Sequence, residues 1–172
     1  VGTTTVAMRA DHGDGFFSLP WPNDIRKKLN GTIDLGGYPG TDINLLLAAI
    51  LAGGSNVTTA FGTNAAVFFQ TSAPIDRTTL PEPGETLTDD ATVMLVNLDD
   101  PSEPRTPLLV DFKQEATKFR PANLLALLPY PGHPLRGRSR YAALLFADLR
   151  DETGAWLRPA PLLAELDEPW VP

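Results

Sequence analysis

Short apolar runs bounded by turn-forming residues dominate the chain from Phe61 onward. They predict strands over Ala66–Thr71, Thr92–Leu98, Pro107–Lys113, Asn123–Leu128 and Arg140–Leu149. The segments between them, among them APIDRTTLPEPGE, DDPSEPR, KFRPA and YPGHPLRGR, are rich in Pro and Gly and in the Asp and Ser of turns. No helical pattern separates the strands, which argues against a parallel βαβ sheet. Ahead of them, Asp42 to Leu51 (DINLLLAAIL) predicts a helix capped by Thr41 or Asp42 and stopped by Gly53-Gly54. This segment is apolar nearly all round, Asn44 excepted, so burial on most sides is expected. Val1 to Tyr38 is mostly irregular. Its Phe16, Phe17, Leu19 and Trp21 sit among Pro and Gly, and predict an arm laid over the body with its aromatics as anchors.

Two of the strands are apolar on both faces. In Arg140–Leu149, Tyr141, Ala143, Leu145, Ala147 and Leu149 point one way, and Ala142, Leu144 and Phe146 point the other. Thr92–Leu98 sets Val93 and Leu95 against Met94, Val96 and Leu98. A sandwich strand with one wet face alternates apolar with polar, so these two need cover on both sides. The helix and the arm are expected to supply part of it, and a second domain or chain the rest.

Composition narrows the classes. A chain of 172 residues, 42% of them hydrophobic, can bury a real core. The net charge of -7 speaks against nucleic acid, whose phosphates need a basic face. With no cysteine there is no disulfide frame and no thiolate chemistry. No run approaches the ~20 apolar residues of a membrane-spanning helix. The chain begins at Val1 rather than Met, which reads as processing or trimming. Two Asn-x-Thr triplets, at Asn30 and Asn56, are read as chance matches to the short glycosylation pattern.

Candidate chemistry is sparse. His12 and His133 show no paired helical spacing for a metal, and no Ser stands in Gly-x-Ser-x-Gly. The acidic loops, Asp11 and Asp14 in DHGDG and Asn97, Asp99, Asp100 and Glu103 in NLDDPSE, lack EF-hand spacing. They read as turns bonding their own backbone. RGRSR, from Arg136 to Arg140, reads as a hairpin turn, and Gly36-Gly37 and Gly53-Gly54 as turn and helix stop rather than a phosphate cradle. No catalytic, cofactor-binding or metal-ligating residue is assigned, and no cofactor is expected.

Two stretches carry a resemblance. AVFFQTSAPIDRTTL, with Ser72, Pro74, Ile75, Asp76, Thr79 and Leu80, resembles the opening of bacterial Ig-like domains. PLRGRSRYAALLFADLRDETGAWL, with Pro134, Leu135, Tyr141, Asp151 and Gly154, resembles the end of the same domain. FFSLPWPNDIRKKLNGTIDLGGYPG and FGTNAAVFFQTSAPID are similar to the N-terminal region of secreted bacterial esterase and lipase-like proteins, where it precedes an α/β-hydrolase domain. This chain reaches Pro172 without an elbow motif, so no catalytic residue carries over.

The expected fold is mainly β, an Ig-like antiparallel sandwich with an irregular, partly helical N-terminal extension. Residues 1–60 are expected to form the arm and helix, 61–160 the sandwich, and 161–172 a linker towards a following domain. The resemblance implies a non-catalytic accessory module that packs on or positions the hydrolase domain of a secreted or periplasmic protein. Its partner would be that domain or a second chain, with self-association another route. Two alternatives stand beside it: a component of an active esterase whose triad lies in a partner or downstream chain, and a free-standing adhesion or ligand-binding module using Trp21 and Trp156.

Overall fold

The computed structural model describes residues 4–9 and 15–166. It is mainly β, with antiparallel sheets of three and two strands. The elements are α1 (Leu45–Val57), β1 (Val67–Gln70), β2 (Val93–Asn97), β3 (Leu108–Lys113), β4 (Leu124–Pro129), β5 (Tyr141–Leu145) and α2 (Pro161–Leu166), with short 3-10 turns between. One sheet runs β1-β4-β3 and the other pairs β2 with β5. All five strands fall where the apolar runs predict them.

One core joins the two sheets. Val67, Phe69, Leu108, Phe112, Leu125 and Leu127 come from the larger sheet, and Val93 and Leu95 from the smaller, with Tyr141, Ala143 and Leu145 packed against them. Alternation explains the sidedness, because a period of two sends every second side chain inward. Register Met94↔Leu144 and Val96↔Ala142 leaves those four residues on the outer face of the small sheet, as the sequence pattern requires. The fifth strand ends sooner than expected. The backbone turns at residues 146–148, where Leu149 donates to the Phe146 carbonyl (3.2 Å), and bridging resumes at Arg150↔Trp156. Leu149 nevertheless remains fully buried in the core.

The arm anchors as its aromatics predict, against the larger sheet. Phe16 and Phe17 are buried with Leu124, beside Trp21, Tyr38 and Phe68. Trp21 and Phe68 exchange main-chain hydrogen bonds (3.0 and 2.6 Å), so the arm adds a rung to the edge of β1. Arg26 locks it: the guanidinium donates to the Phe16 carbonyl (2.6 Å) and lies 4.0 Å from that ring's centre. Burial lowers the pKa of this group, opposed by the charge of Asp34.

The helix overturns its expectation. Asn44, not Thr41 or Asp42, caps it, its side chain accepting from the Leu47 N–H (3.0 Å). Its hydrogen bonding continues through Gly53-Gly54 to Val57, so the glycines do not end it. None of its residues is buried. Apolar composition cannot choose between a core and an open surface, and here the core is closed by strand side chains before the helix can reach it. Among the described residues, neither α1 nor the arm covers the outer face of β2 and β5. The cover there comes from the segments on either side of β2, the turn at Glu85–Leu87 before it and the loop carrying Arg105 after it.

Candidate functional site

The loop after β2 and the turn before β5 meet, and their opposite charges pair. The Arg140 guanidinium donates to Asp99 Oδ1 from Nε (2.8 Å) and Nη2 (2.6 Å), while its main-chain N–H reaches Oδ2 (2.7 Å). Arg140's side-chain hydrogen bonds hold the Asp99 carboxyl below the usual carboxylate range, and Asp99 in turn raises the arginine. Asn97 Oδ1 accepts from the Asp99 and Asp100 N–H groups, and Asp100 Oδ1 from Ser102. The acidic loop is therefore a self-bonded turn, as predicted, braced by the basic turn opposite. Both sequence features belong to one contact, which spacing alone does not reveal. Glu103 accepts from the Asn97 amide, and its carboxylate lies 3.5 Å from the Tyr141 hydroxyl. Tyr141 packs its ring on the core while its hydroxyl accepts from the Arg136 N–H (2.9 Å), which turns the set Tyr141, Ala143 and Leu145 inward.

Between this loop and β2 lies an open groove of about 690 Å³. Met94, Val96 and Phe146 give it apolar lining, and Arg105 and Glu103 are among its polar groups. The Arg105 guanidinium pairs with Asp89, donates to the Thr88 carbonyl (2.7 Å) and lies 3.8 Å from Met94 Sδ. Met94 is thereby buried, whereas Leu144 and Phe146 stay about two-fifths exposed, at 39% and 40%. The doubled apolar face is thus half covered.

A second open surface is α1. Its exposed residues include Leu45, Leu46, Ala49, Ile50, Gly53 and Val57, a spacing that places them on one side of the helix. Leu45 is 85% exposed, Val57 75% and Leu46 71%. From Ile43 to Ile75 the sequence carries no charged residue, so this side is both apolar and uncharged. The turn bearing the wholly exposed Leu29 is tied to the same region, because Ile33 donates to the Thr58 carbonyl (2.8 Å) and Leu35 to Ser55 Oγ (3.1 Å).

The two stretches that carry the Ig-like resemblance come together in space. Ile75 bridges Asp151, and Asp76 donates to the Arg150 carbonyl (2.9 Å). Asp151 is buried at the junction. It accepts from the Thr153 hydroxyl (2.6 Å) and N–H (2.9 Å), the Ala155 N–H (2.9 Å) and the Thr4 hydroxyl (2.7 Å). Led by the hydroxyl bonds of Thr153 and then Thr4, these donors lower its pKa to about 2. Such a carboxylate stays ionised around neutrality and joins chain segments. It is not poised for proton transfer near neutrality.

Of the other residues weighed for chemistry, Asp11, His12 and Asp14 lie outside the described residues. His133 rests near the Tyr130 ring, with centroids 6.2 Å apart. Among the described residues no group of three or more His, Asp or Glu is arranged to hold a metal ion. Trp21 is engaged by Phe16 and Phe61, and Trp156 is overlain by the Arg150 guanidinium at 4.2 Å. No described helix is long and apolar enough to cross a membrane. Comparison with protein-family models, curated proteins and solved structures finds no match.

Proposed function

We propose that this chain is a non-catalytic accessory module, an Ig-like sandwich with an anchoring arm, that packs on the hydrolase domain of a secreted bacterial esterase or lipase-like protein. The observation that carries the packing role is the uncharged, solvent-facing side of α1. Large contiguous apolar patches on a soluble protein mark interaction sites. The two-sheet core and the pairing of Ile75 with Asp151 support the Ig-like reading, and the hydrolase partner rests on the sequence resemblance.

Size favours a tethered neighbour over a free one. A helix of 13 residues is ~20 Å long and ~10 Å wide, or roughly 200 Å² of facing surface. A stable complex between separate proteins needs ~800 Å² on each side. A short flexible link supplies an effective concentration on the order of millimolar, which lets a smaller contact hold.

Amide hydrogen exchange tests this in the isolated chain and in the natural full-length polypeptide. Amides of Leu46 to Val57 should exchange readily in the isolated chain and slow at least ~10-fold in the full-length protein. Equal exchange would remove the docking role. A full-length polypeptide without an α/β-hydrolase domain would remove the hydrolase partner.

A further inference from the structure

We propose that the free edge of β5 pairs with the same edge of a second copy of this chain, antiparallel about a two-fold axis at Ala143. This does not rest on the hydrolase reading. It follows from how each sheet edge is covered and from where the charges beside β5 fall.

The other sheet edges are occupied. On β1, Phe68 pairs with Trp21 and the Gln70 carbonyl accepts from Ala7 (2.7 Å), so the arm takes that edge. On β3, the Leu108 N–H donates to Thr86 Oγ1 (3.0 Å) and the Phe112 carbonyl accepts from Arg77 (2.8 Å), so side chains cap it. On β2, the turn at Glu85–Leu87 and the Arg105 guanidinium, which bridges to Thr88 and Asp89, close the flank. Val93, Leu95 and Asn97 are accordingly 0%, 3% and 6% exposed. Their neighbours across the ladder, Tyr141, Ala143 and Leu145, pack on the same core yet are each only half-buried. The difference marks an open flank on β5.

The main chain of β5 is open on the same side. Leu98 donates to the Arg140 carbonyl (2.8 Å) and Phe146 to that of Thr92 (2.9 Å), so the even-numbered residues of β5 bond β2. Tyr141, Ala143 and Leu145 therefore turn their N–H and C=O groups outward, and among the described residues nothing bonds them there. Natural edge strands are blunted by charge, by proline or by a bulge. From Tyr141 to Ala147 the sequence has neither charge nor proline, and the register with β2 runs unbroken. Such an edge is a template for another strand, whose donors and acceptors repeat with the matching spacing.

Charge selects a second copy as the occupant. Arg136 and Arg140 are committed to Asp100 and Asp99 within the chain, which leaves Arg138 as the open charge of the basic turn. Asp148, at the far end of β5, is likewise exposed and unpaired among the described residues. Arg138 and Asp148 stand five positions either side of Ala143, so a two-fold axis there sets Arg138 of each copy beside Asp148 of the other. The same axis pairs Ala143 with Ala143 and Tyr141 with Leu145, which bonds all three outward residues; any other register leaves at least one of them out. On the outer face it sets Leu144 opposite Ala142, joining the half-covered apolar strips of the two copies. Five paired residues span only ~17 Å, far short of the ~800 Å² per side of a stable complex, so the dimer should be weak, with a Kd on the order of 0.1–1 mM.

Sedimentation equilibrium of the whole chain, from about 0.05 to about 2 mM, should show the mass rising from 18.6 kDa towards twice that value. Over the same range, amide exchange at Tyr141, Ala143 and Leu145 should slow about threefold or more while that of α1 stays constant. Arg138→Asp and Asp148→Arg should each weaken association about fivefold or more, because each sets like charges together, and the two combined in one chain should restore it. Both positions are exposed, so the variants leave the fold intact. A chain that stays monomeric throughout overturns the proposal. So does association that protects Leu46 to Val57 instead, which would place the contact on α1, and so do single variants that associate as tightly as the original. Protection of the β5 amides that does not change with concentration would mean that the chain covers its own edge, which also refutes it.

Discussion

Among the described residues, acid should weaken this fold through Asp151 more than through any other single carboxylate, and the amount follows from its bonding. The side chain accepts four hydrogen bonds, from Thr4, from the hydroxyl and N–H of Thr153, and from Ala155. Its pKa falls from 3.8 to about 2. A depressed carboxylate contributes stability above its unfolded pKa, and loses it as pH falls through the folded one. At 1.36 kcal/mol per pKa unit, the contribution at neutral pH is about 2–3 kcal/mol. It should be present above pH ~4 and mostly gone near pH ~2. Asp151→Asn keeps the shape but cannot titrate. Urea denaturation of both proteins between those limits isolates the residue, because every other carboxylate is common to the two. The original chain should lead Asp151→Asn by ~1–3 kcal/mol at neutral pH, with the gap closing in acid. A gap that stays constant with pH would refute the reasoning, since the carboxylate would then not titrate with folding.

Arg26→Ala should cost ~2–4 kcal/mol in urea denaturation, because it deletes a buried, charge-donated hydrogen bond to Phe16 and the stacking over that ring. Arg26→Lys should recover only part of this, since an ammonium cannot stack as a guanidinium does. Tyr141→Phe should lower stability by ~1 kcal/mol through loss of the Arg136 bond, and Tyr141→Ala by ~3 kcal/mol, both read as shifts in Tm. Leu46→Glu with Ile50→Glu should leave Tm nearly unchanged, within ~0.5 kcal/mol, because neither side chain packs in the isolated chain.

Local pattern determined most of the strands. Period-two alternation and proline-rich turns locate all five, and the inward and outward sets of β2 and β5 follow from parity alone. The arm's aromatics are legible for the same reason: large apolar side chains among turn residues must find cover. The Asn97 and Asp100 turns are legible because such side chains bond backbone two or three residues on. What the sequence could not decide is which surface each piece meets. The α1 segment has the composition of a core helix, yet strand side chains close the core and leave it outside. Asp99 meets Arg140 across 41 positions, and Thr4 meets Asp151 across 147, distances over which spacing carries no signal. Local structure depends on neighbours in the chain, whereas cover, pairing and open edges depend on which elements win the limited space around a shared core.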